Sequence, residues 1–112
     1  MGNKATNQAM SEFKSQVFQI LNQTQMGECV SYGDIAKQAG FPGYARQVGQ
    51  LLKKLPKDTK LPWYRVINAQ GRISFAEGTD AYLRQKQHLE AEGWLIVGKK
   101  LQTNNQTKLK TK

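Results

Sequence analysis

The chain has 112 residues, of which 38% are hydrophobic and 22% are charged, and its formal net charge is +9. This length suits one domain with a modest core and excludes two. No apolar run approaches the length of a membrane span, so no membrane partner is expected. The N-terminus leads into no apolar signal region, which predicts a cytoplasmic protein. A monomer is the default expectation, because no segment points to dimerisation.

The positive charge is unevenly distributed along the chain. Residues 1–98 hold 12 Lys/Arg and 8 Asp/Glu, whereas residues 99–112 hold five lysines and no acid. The Gln, Asn, Thr and Lys of the last stretch offer little to bury, so we predict a folded domain over 1–98 and a polar basic tail over 99–112, with disorder beyond about Leu101. Such a tail either attracts phosphates without regard to sequence or is only a solubilising end. The excess charge favours a polyanionic partner.

Cys29 is the only cysteine, so no internal disulfide can form. We interpret it as a half-buried core thiol. The alternative, a reactive nucleophile, needs an activating partner, and the sole histidine, His88, is distant in sequence on a charged helix where we expect it to be solvated. Nothing in the sequence points to a metal, a nucleotide or another cofactor.

Apolar residues at helical spacing predict a first helix over roughly 7–24. A capping box then begins at Ser31, whose hydroxyl is suited to cap helix amides, and Asp34 favours the positive end of the same short helix. Ile35 is expected to face inward, and Gly40 to end this second helix.

A third helix is predicted from about Tyr44 to Lys54, after the sharp connection at 41–43. One of its faces is apolar and the other is polar and cationic. The polar face consists of Arg46, Gln47, Gln50, Lys53 and Lys54. Two short helices joined by a tight glycine turn, the second with a cationic face, indicate a helix-turn-helix.

The second half of the chain begins with a polar connector over 56–61. Two short segments, 65–67 and 72–74, flank a turn-rich stretch and predict a small β-hairpin or wing. Thr79 is a candidate cap for a last helix that continues to about Glu92. The inward residues of this helix are predicted to be Ala81, Leu83 and Leu89. A β-prone run follows and closes a fold that is mainly α with a small β-hairpin, a single winged helix-turn-helix-like domain.

Four motifs in order resemble the DNA-binding domain of the O6-alkylguanine-DNA alkyltransferases. Residues 30–36, Val-Ser-Tyr-Gly-Asp-Ile-Ala, resemble the family's Val-Ser-Tyr-Gly-Glu-Ile-Ala, and residues 45–49, Ala-Arg-Gln-Val-Gly, resemble its recognition helix, Ala-Arg-Ala-Val-Gly. Residues 62–66, Pro-Trp-Tyr-Arg-Val, resemble the active-site motif Pro-Cys-His-Arg-Val. Residues 92–93 match the acidic-glycine end of the last helix, so the resemblance runs over about 13–93.

Trp63 stands where these enzymes carry the reactive cysteine. An indole cannot replace a thiolate nucleophile, so no enzymatic alkyl transfer is expected. A chain with these surroundings and no nucleophile is similar to the alkyltransferase-like proteins. That resemblance implies a protein that binds duplex DNA containing O6-alkylguanine and flips the damaged base into a pocket. It also implies that the lesion is marked for nucleotide excision repair proteins without alkyl transfer.

The resemblance assigns DNA contacts to four residues. Arg46 would be the intercalating finger, because a planar, permanently charged guanidinium can stack and donate to the orphan cytosine. Tyr32 would meet the phosphate of the flipped nucleotide at a helix N-terminus. Gly49 would allow the recognition helix a close approach. Lys53 would either contact phosphate or only solvate the helix end.

The resemblance also implies a lesion pocket. Its predicted residues are Trp63, Tyr64, Val66, Asn68, Ser74 and Ala76. Trp63 would contact the alkylated base through its large face. Tyr64 replaces the histidine of the enzymes' proton relay, so Glu92 is expected to be structural. Ala76 stands where the enzymes usually carry tyrosine, which predicts a roomier pocket that admits bulkier alkyl groups. Leu55 replaces an asparagine that braces the enzymes' active-site loop.

Two alternatives compete with a lesion-binding protein. A winged-helix transcription regulator would read sequence through Arg46 and Gln50, with a preferred operator and no preference for alkylated guanine. A residual enzyme would use Cys29 as alkyl acceptor, which requires an activating neighbour at the pocket.

Overall fold

The structure is a computed structural model that describes residues 2–102 and 108–109, with side chains from residue 8 to residue 102. In this described part, four α-helices and five short strands form the fold. The helices are α1 (Gly2–Gln23), α2 (Tyr32–Gln38), α3 (Ala45–Lys53) and α4 (Asp80–Ala91). The strands are β1 (Glu28–Ser31), β2 (Val66–Ile67), β3 (Leu95–Val97), β4 (Lys100–Gln102) and β5 (Lys108–Leu109). A single 3-10 turn, Trp63–Arg65, precedes β2.

The helix starts follow their local capping signals. The Ser31 hydroxyl accepts a hydrogen bond from the Asp34 amide at 3.1 Å, as the capping box predicts. The Thr79 hydroxyl accepts from the Tyr82 amide at 3.2 Å and caps α4. In the part of the chain that the structure describes, no helix combines the length and the apolar character that a membrane crossing requires.

The predicted hairpin over 65–74 is wrong in position. β2 pairs in parallel with β1, in the order β2-β1-β5, with Val30 opposite Val66. The antiparallel hairpin of the fold is instead β3 with β4, and Arg72 contributes one isolated bridge to Lys100. Parallel strands are joined by a long crossover, so their pairing leaves no turn signal that a local reading of the sequence can detect.

The folded domain continues beyond residue 98, where the sequence predicted its end. β4 lies in the predicted tail, and the alternation of Lys100, Leu101 and Gln102 turns Leu101 into the core, where 4% of it is exposed. β5 pairs with β1 through the backbone of Lys108 and Leu109. Residues 103–107 and 110–112 of the predicted tail lie outside the described residues.

Two apolar clusters form the core. The first holds α1, α2 and α3 together, and in it the Phe13 ring meets the edge of Phe41 at 5.0 Å between centroids. The second lies between α4, the β3–β4 hairpin and the β1–β2 pair, and it contains Cys29. The predicted inward position of Leu83 is wrong, since 48% of it is exposed. The inward residues of α4 are Tyr82, Gln85 and Leu89.

Candidate nucleic-acid interface

A cavity of about 540 Å³ opens between the start of α2, the outer face of α3 and the 3-10 turn. Its lining residues are Tyr32, Ala45, Arg46, Gly49, Gln50, Leu52, Lys53, Trp63, Ser74 and Phe75. This volume lies within the range of about 300–1,000 Å³ that is typical of sites for small organic ligands. The cavity therefore has room for a group of the size of a nucleobase.

The four predicted DNA-contact residues all line this cavity. Arg46 is exposed on the first turn of α3. Within residues 8–102, no side chain or backbone group forms a hydrogen bond or ion pair with its guanidinium. Gly49 lies against Tyr32, and a Cβ added there would be 3.7 Å from Tyr32 Cε1, which is an ordinary contact. The Tyr32 ring therefore does not require a glycine here, and the close approach expected at Gly49 stays a prediction. Lys53 is exposed one turn later.

The hydroxyls of Tyr32 and Ser74 lie 2.9 Å apart and link α2 to the loop after β2. Burial raises the pKa of the Tyr32 phenol, and the hydrogen bond with Ser74 offsets this only in part. Tyr32 is therefore neutral at physiological pH. A neutral phenol is able to donate a hydrogen bond to a phosphate oxygen, whereas a phenolate would repel it.

Trp63 stands in the wall of the cavity as the first residue of the 3-10 turn. The guanidinium carbon of Arg84 lies 5.3 Å from the centre of the indole. The edges of Tyr64 and His88 meet the same indole at centroid distances of 6.0 Å and 6.1 Å. Because neighbours contact it from the turn and from α4, the orientation of Trp63 is set before any ligand enters.

Behind the turn, a buried polar network centres on Glu92. Its carboxylate accepts hydrogen bonds from Arg65 Nη2 at 2.8 Å, from the Tyr64 hydroxyl at 3.0 Å and from the Gly27 amide at 3.0 Å. Arg65 Nη1 also donates to the Thr24 carbonyl oxygen at 2.8 Å. Burial alone would raise the pKa of Glu92, but these hydrogen bonds and the Arg65 charge outweigh it and lower the pKa. Glu92 thus joins the connection after α1, the 3-10 turn and the end of α4, which is a structural role.

Of the six predicted lesion-pocket residues, Trp63 and Ser74 line the cavity. Tyr64 does not line it, because its hydroxyl donates a hydrogen bond to the Glu92 carboxylate. Its ring also stacks on His88, with 4.3 Å between the ring centroids. His88 is exposed, as expected, but this stacking was not foreseen.

The other three predicted pocket residues also lie away from the cavity. Val66 is buried in the first core cluster. Asn68 caps a turn, in which its Oδ1 accepts from the amides of Gln70 and Arg72 at 3.0 Å. Ala76 is exposed and does not line the cavity, so the roomier pocket expected from alanine at this position stays a prediction.

The sequence reading missed several wall residues, chiefly Phe75. This aromatic ring lines the cavity at the loop position next to Ala76. The remaining ones are Ala45, Gln50 and Leu52. An aromatic residue in a polar loop beside Ser74 was the available signal, because such a ring has no local reason to lie in a turn.

Cys29 is fully buried in the second core cluster, where the sequence predicted partial burial. Burial and the nearby Glu92 carboxylate raise the pKa of its thiol to about 12, against a smaller opposing effect of Arg65. A buried thiol that stays protonated is a poor nucleophile. Among residues 8–102, no cluster of His, Cys, Asp and Glu side chains suits a metal ion.

Residues 12–94 match the family model of the 6-O-methylguanine DNA methyltransferase, DNA binding domain. A relative from Vibrio parahaemolyticus, named DNA base-flipping protein, is 55% identical over 84 residues, which are 75% of this chain and 82% of that protein. Alkyltransferase-like protein 1 of Schizosaccharomyces pombe is 44% identical over 84 residues, which are 75% of this chain and 78% of that protein.

Solved structures give the same relationship. The S. pombe protein Atl1, in complex with damaged DNA containing O6-carboxymethylguanine, superposes with a TM-score of 0.72 and 42% identity over 78% of this chain and 81% of that one. Mycobacterium tuberculosis OGT in complex with DNA superposes with a TM-score of 0.61 and 38% identity, over 71% of this chain and 48% of that one. The chain therefore belongs to the family of the 6-O-methylguanine DNA methyltransferase DNA-binding domain, together with relatives named base-flipping and alkyltransferase-like proteins.

Proposed function

We propose that this protein binds duplex DNA containing O6-alkylguanine and flips the damaged base into the cavity beside Trp63. The observation that carries the proposal is that Arg46, Tyr32 and Trp63 line one cavity of nucleobase size. Arg46 is the intercalating finger, because its guanidinium is exposed and projects from the first turn of the recognition helix. The relatives named for base flipping and for damaged-DNA binding support the same role.

The flipped base stacks on Trp63 and Phe75, which are the two aromatic apolar residues of the wall besides Tyr32. Base–aromatic stacking contributes about 1–3 kcal/mol per base and tolerates different substituents on the base. Tyr32 donates its phenolic hydrogen to the phosphate of the extruded nucleotide and exchanges its contact with Ser74 for that interaction. Lys53, exposed at the end of α3, adds sequence-independent attraction to the backbone.

No alkyl group is transferred in this proposal. Trp63 offers no thiolate at the cavity, and the one cysteine, Cys29, is buried with a raised pKa. Glu92 is engaged by Arg65 and Tyr64, so it is not available to activate a nucleophile. The output is the bound, distorted DNA itself, which marks the site for nucleotide excision repair proteins.

The direct test compares two duplexes that differ in a single O6-methylguanine, by fluorescence anisotropy at a fixed moderate salt concentration. The proposal predicts clearly tighter binding of the lesion duplex. Equal affinities that fall steeply with salt would reject it, because phosphate attraction alone has that signature. A preferred DNA sequence without any lesion preference would favour the winged-helix regulator instead.

A further inference from the structure

A second cavity of about 140 Å³ adjoins the first. Its lining residues are Leu52, Lys53, Leu55, Pro56, Thr59, Trp63, Phe75, Ala81 and Arg84. Four residues line both cavities, so the two adjoin along these side chains, which are Leu52, Lys53, Trp63 and Phe75. A base that stacks on the Trp63 and Phe75 rings in the larger cavity would lie next to the smaller one.

The size of the second cavity defines what it can hold. A water molecule occupies about 30 Å³ of the liquid, so this space takes about four or five non-hydrogen atoms. A nucleobase is too large for it, whereas a short chain attached to a base fits. Its apolar walls, Leu52, Leu55 and Pro56, suit the methylene groups of such a chain.

The charge in this second cavity is positive. Lys53 and Arg84 line it, and none of its lining residues is acidic. The Arg84 guanidinium lies over Trp63 and has only long contacts elsewhere, 3.9 Å to the Asp80 carboxylate and 3.5 Å to the Lys57 carbonyl oxygen. Because these contacts are weak, the guanidinium retains donors for a further acceptor.

We propose that the second cavity receives the end of the O6 substituent, and that Arg84 makes it selective for substituents that end in a carboxylate. The proposal rests on the proposed function, since the damaged base must first occupy the larger cavity. A carboxylate forms charge-assisted hydrogen bonds with a guanidinium, whereas a neutral amide of the same size forms weaker ones. Arg84 is thus a specificity-determining residue, since it lines the second cavity and its guanidinium lies over the Trp63 indole.

The test measures anisotropy titrations with five duplexes that differ only at one guanine. In two of them the guanine is unmodified or O6-methylated. In two others O6 carries a carboxyalkyl chain with one or three methylenes. In the fifth, the carboxylate of the longer chain is replaced by a primary amide. We expect the wild-type protein to bind the duplex with the longer carboxylate about fivefold more tightly than the duplex with its amide. An affinity ratio of this size is what one partly exposed ion pair contributes. Arg84→Gln should bring this ratio to about one; because Arg84 also contacts the Trp63 indole, the carboxylate-to-amide ratio is the readout and the absolute affinity for O6-methylguanine is not.

Two further variants separate the role of Arg84 from general charge. Arg84→Lys retains the cation and should keep most of the ratio. Arg72→Gln removes an arginine that is exposed and lines neither cavity, and it should keep the full ratio. A wild-type ratio near one, or a ratio that survives Arg84→Gln, would overturn the selectivity proposal while O6-methylguanine is still preferred over guanine. Loss of that preference in the wild-type protein would instead overturn the proposed function.

Discussion

The guanidinium of Arg65 and the carboxylate of Glu92 form an ion pair, with Nη2 and Oε2 2.8 Å apart and with only 10% and 6% of the two side chains exposed. Arg65 belongs to the turn that carries Trp63, and Glu92 ends α4. A turn of three residues has little stability of its own. The ion pair therefore fixes the base of the cavity wall, although neither residue lines the cavity.

Removal of one partner should be costly. Glu92→Ala is expected to lower the free energy of unfolding by about 3 kcal/mol, because it leaves Arg65 buried without its opposite charge. Urea denaturation at pH 7, followed by tryptophan fluorescence, measures this loss. The matched control is Glu90→Ala, which removes an exposed ion pair with Lys86 and should cost at most about 1 kcal/mol. Similar losses in both variants would contradict the structural role of Glu92.

The same carboxylate makes stability depend on pH. The pKa of Glu92 in the folded protein lies below the ordinary value of 4.5, so its stabilisation is fully present above that value. It is lost as the pH falls from about 4.5 through the folded-state pKa. The difference in unfolding free energy between wild type and Glu92→Ala should therefore shrink between pH 7 and pH 3. A difference that stays constant with pH would argue against this linkage.

Tyr64 is expected to affect stability and not lesion binding. Tyr64→Phe removes the hydroxyl that donates to Glu92 and keeps the ring that stacks on His88. The expected cost is about 1 kcal/mol, the usual contribution of one hydrogen bond. Denaturation and anisotropy on the O6-methylguanine duplex measure the two properties. A large loss of lesion affinity at full stability would return Tyr64 to the lesion pocket.

Cys29 should be chemically inert in the native protein. Its thiol is fully buried and its pKa is raised to about 12, so almost no thiolate exists at pH 8. Ellman's reagent is expected to react slowly with the folded protein and at once in guanidinium chloride. Rapid native labelling, or transfer of a labelled methyl group from O6-methylguanine to the protein, would revive Cys29 as an acceptor.

Arg46 should be needed for recognition of the lesion. Arg46→Ala is expected to weaken binding of the O6-methylguanine duplex at least about tenfold, as the loss of one intercalated planar group implies. Arg46→Lys should not restore it, because an ammonium group cannot stack in the duplex. Gel-shift titration measures the affinity of both variants for the lesion duplex. Arg72→Ala is the control, because it removes the same charge from another exposed arginine. An unchanged lesion affinity of Arg46→Ala would refute the assignment of Arg46 as the intercalating residue.

Some elements were predictable because their causes are local. The capping groups of Ser31 and Thr79 lie within three residues of the amides that they bind, and both caps are confirmed. The third helix was predicted over 44–54 and is observed as Ala45–Lys53, because its apolar face repeats at helical spacing. Arg46, Gly49 and Lys53 line one cavity for the same reason, since their spacing along α3 places them on one face. Tyr32 joins them only through the packing of α2 against α3.

By itself, the sequence determined the helices, the absence of a thiol beside Trp63 and the family to which the chain belongs, since each is read from adjacent residues. Only the tertiary structure decided the strand partner of β2, the burial of Leu101 and the direction of Tyr64. Each of these depends on groups more than two dozen residues away in the chain. Such contacts form because surfaces from distant parts of the chain are buried together. The free energy of this burial depends on both surfaces, so it cannot be read from the residues of one segment.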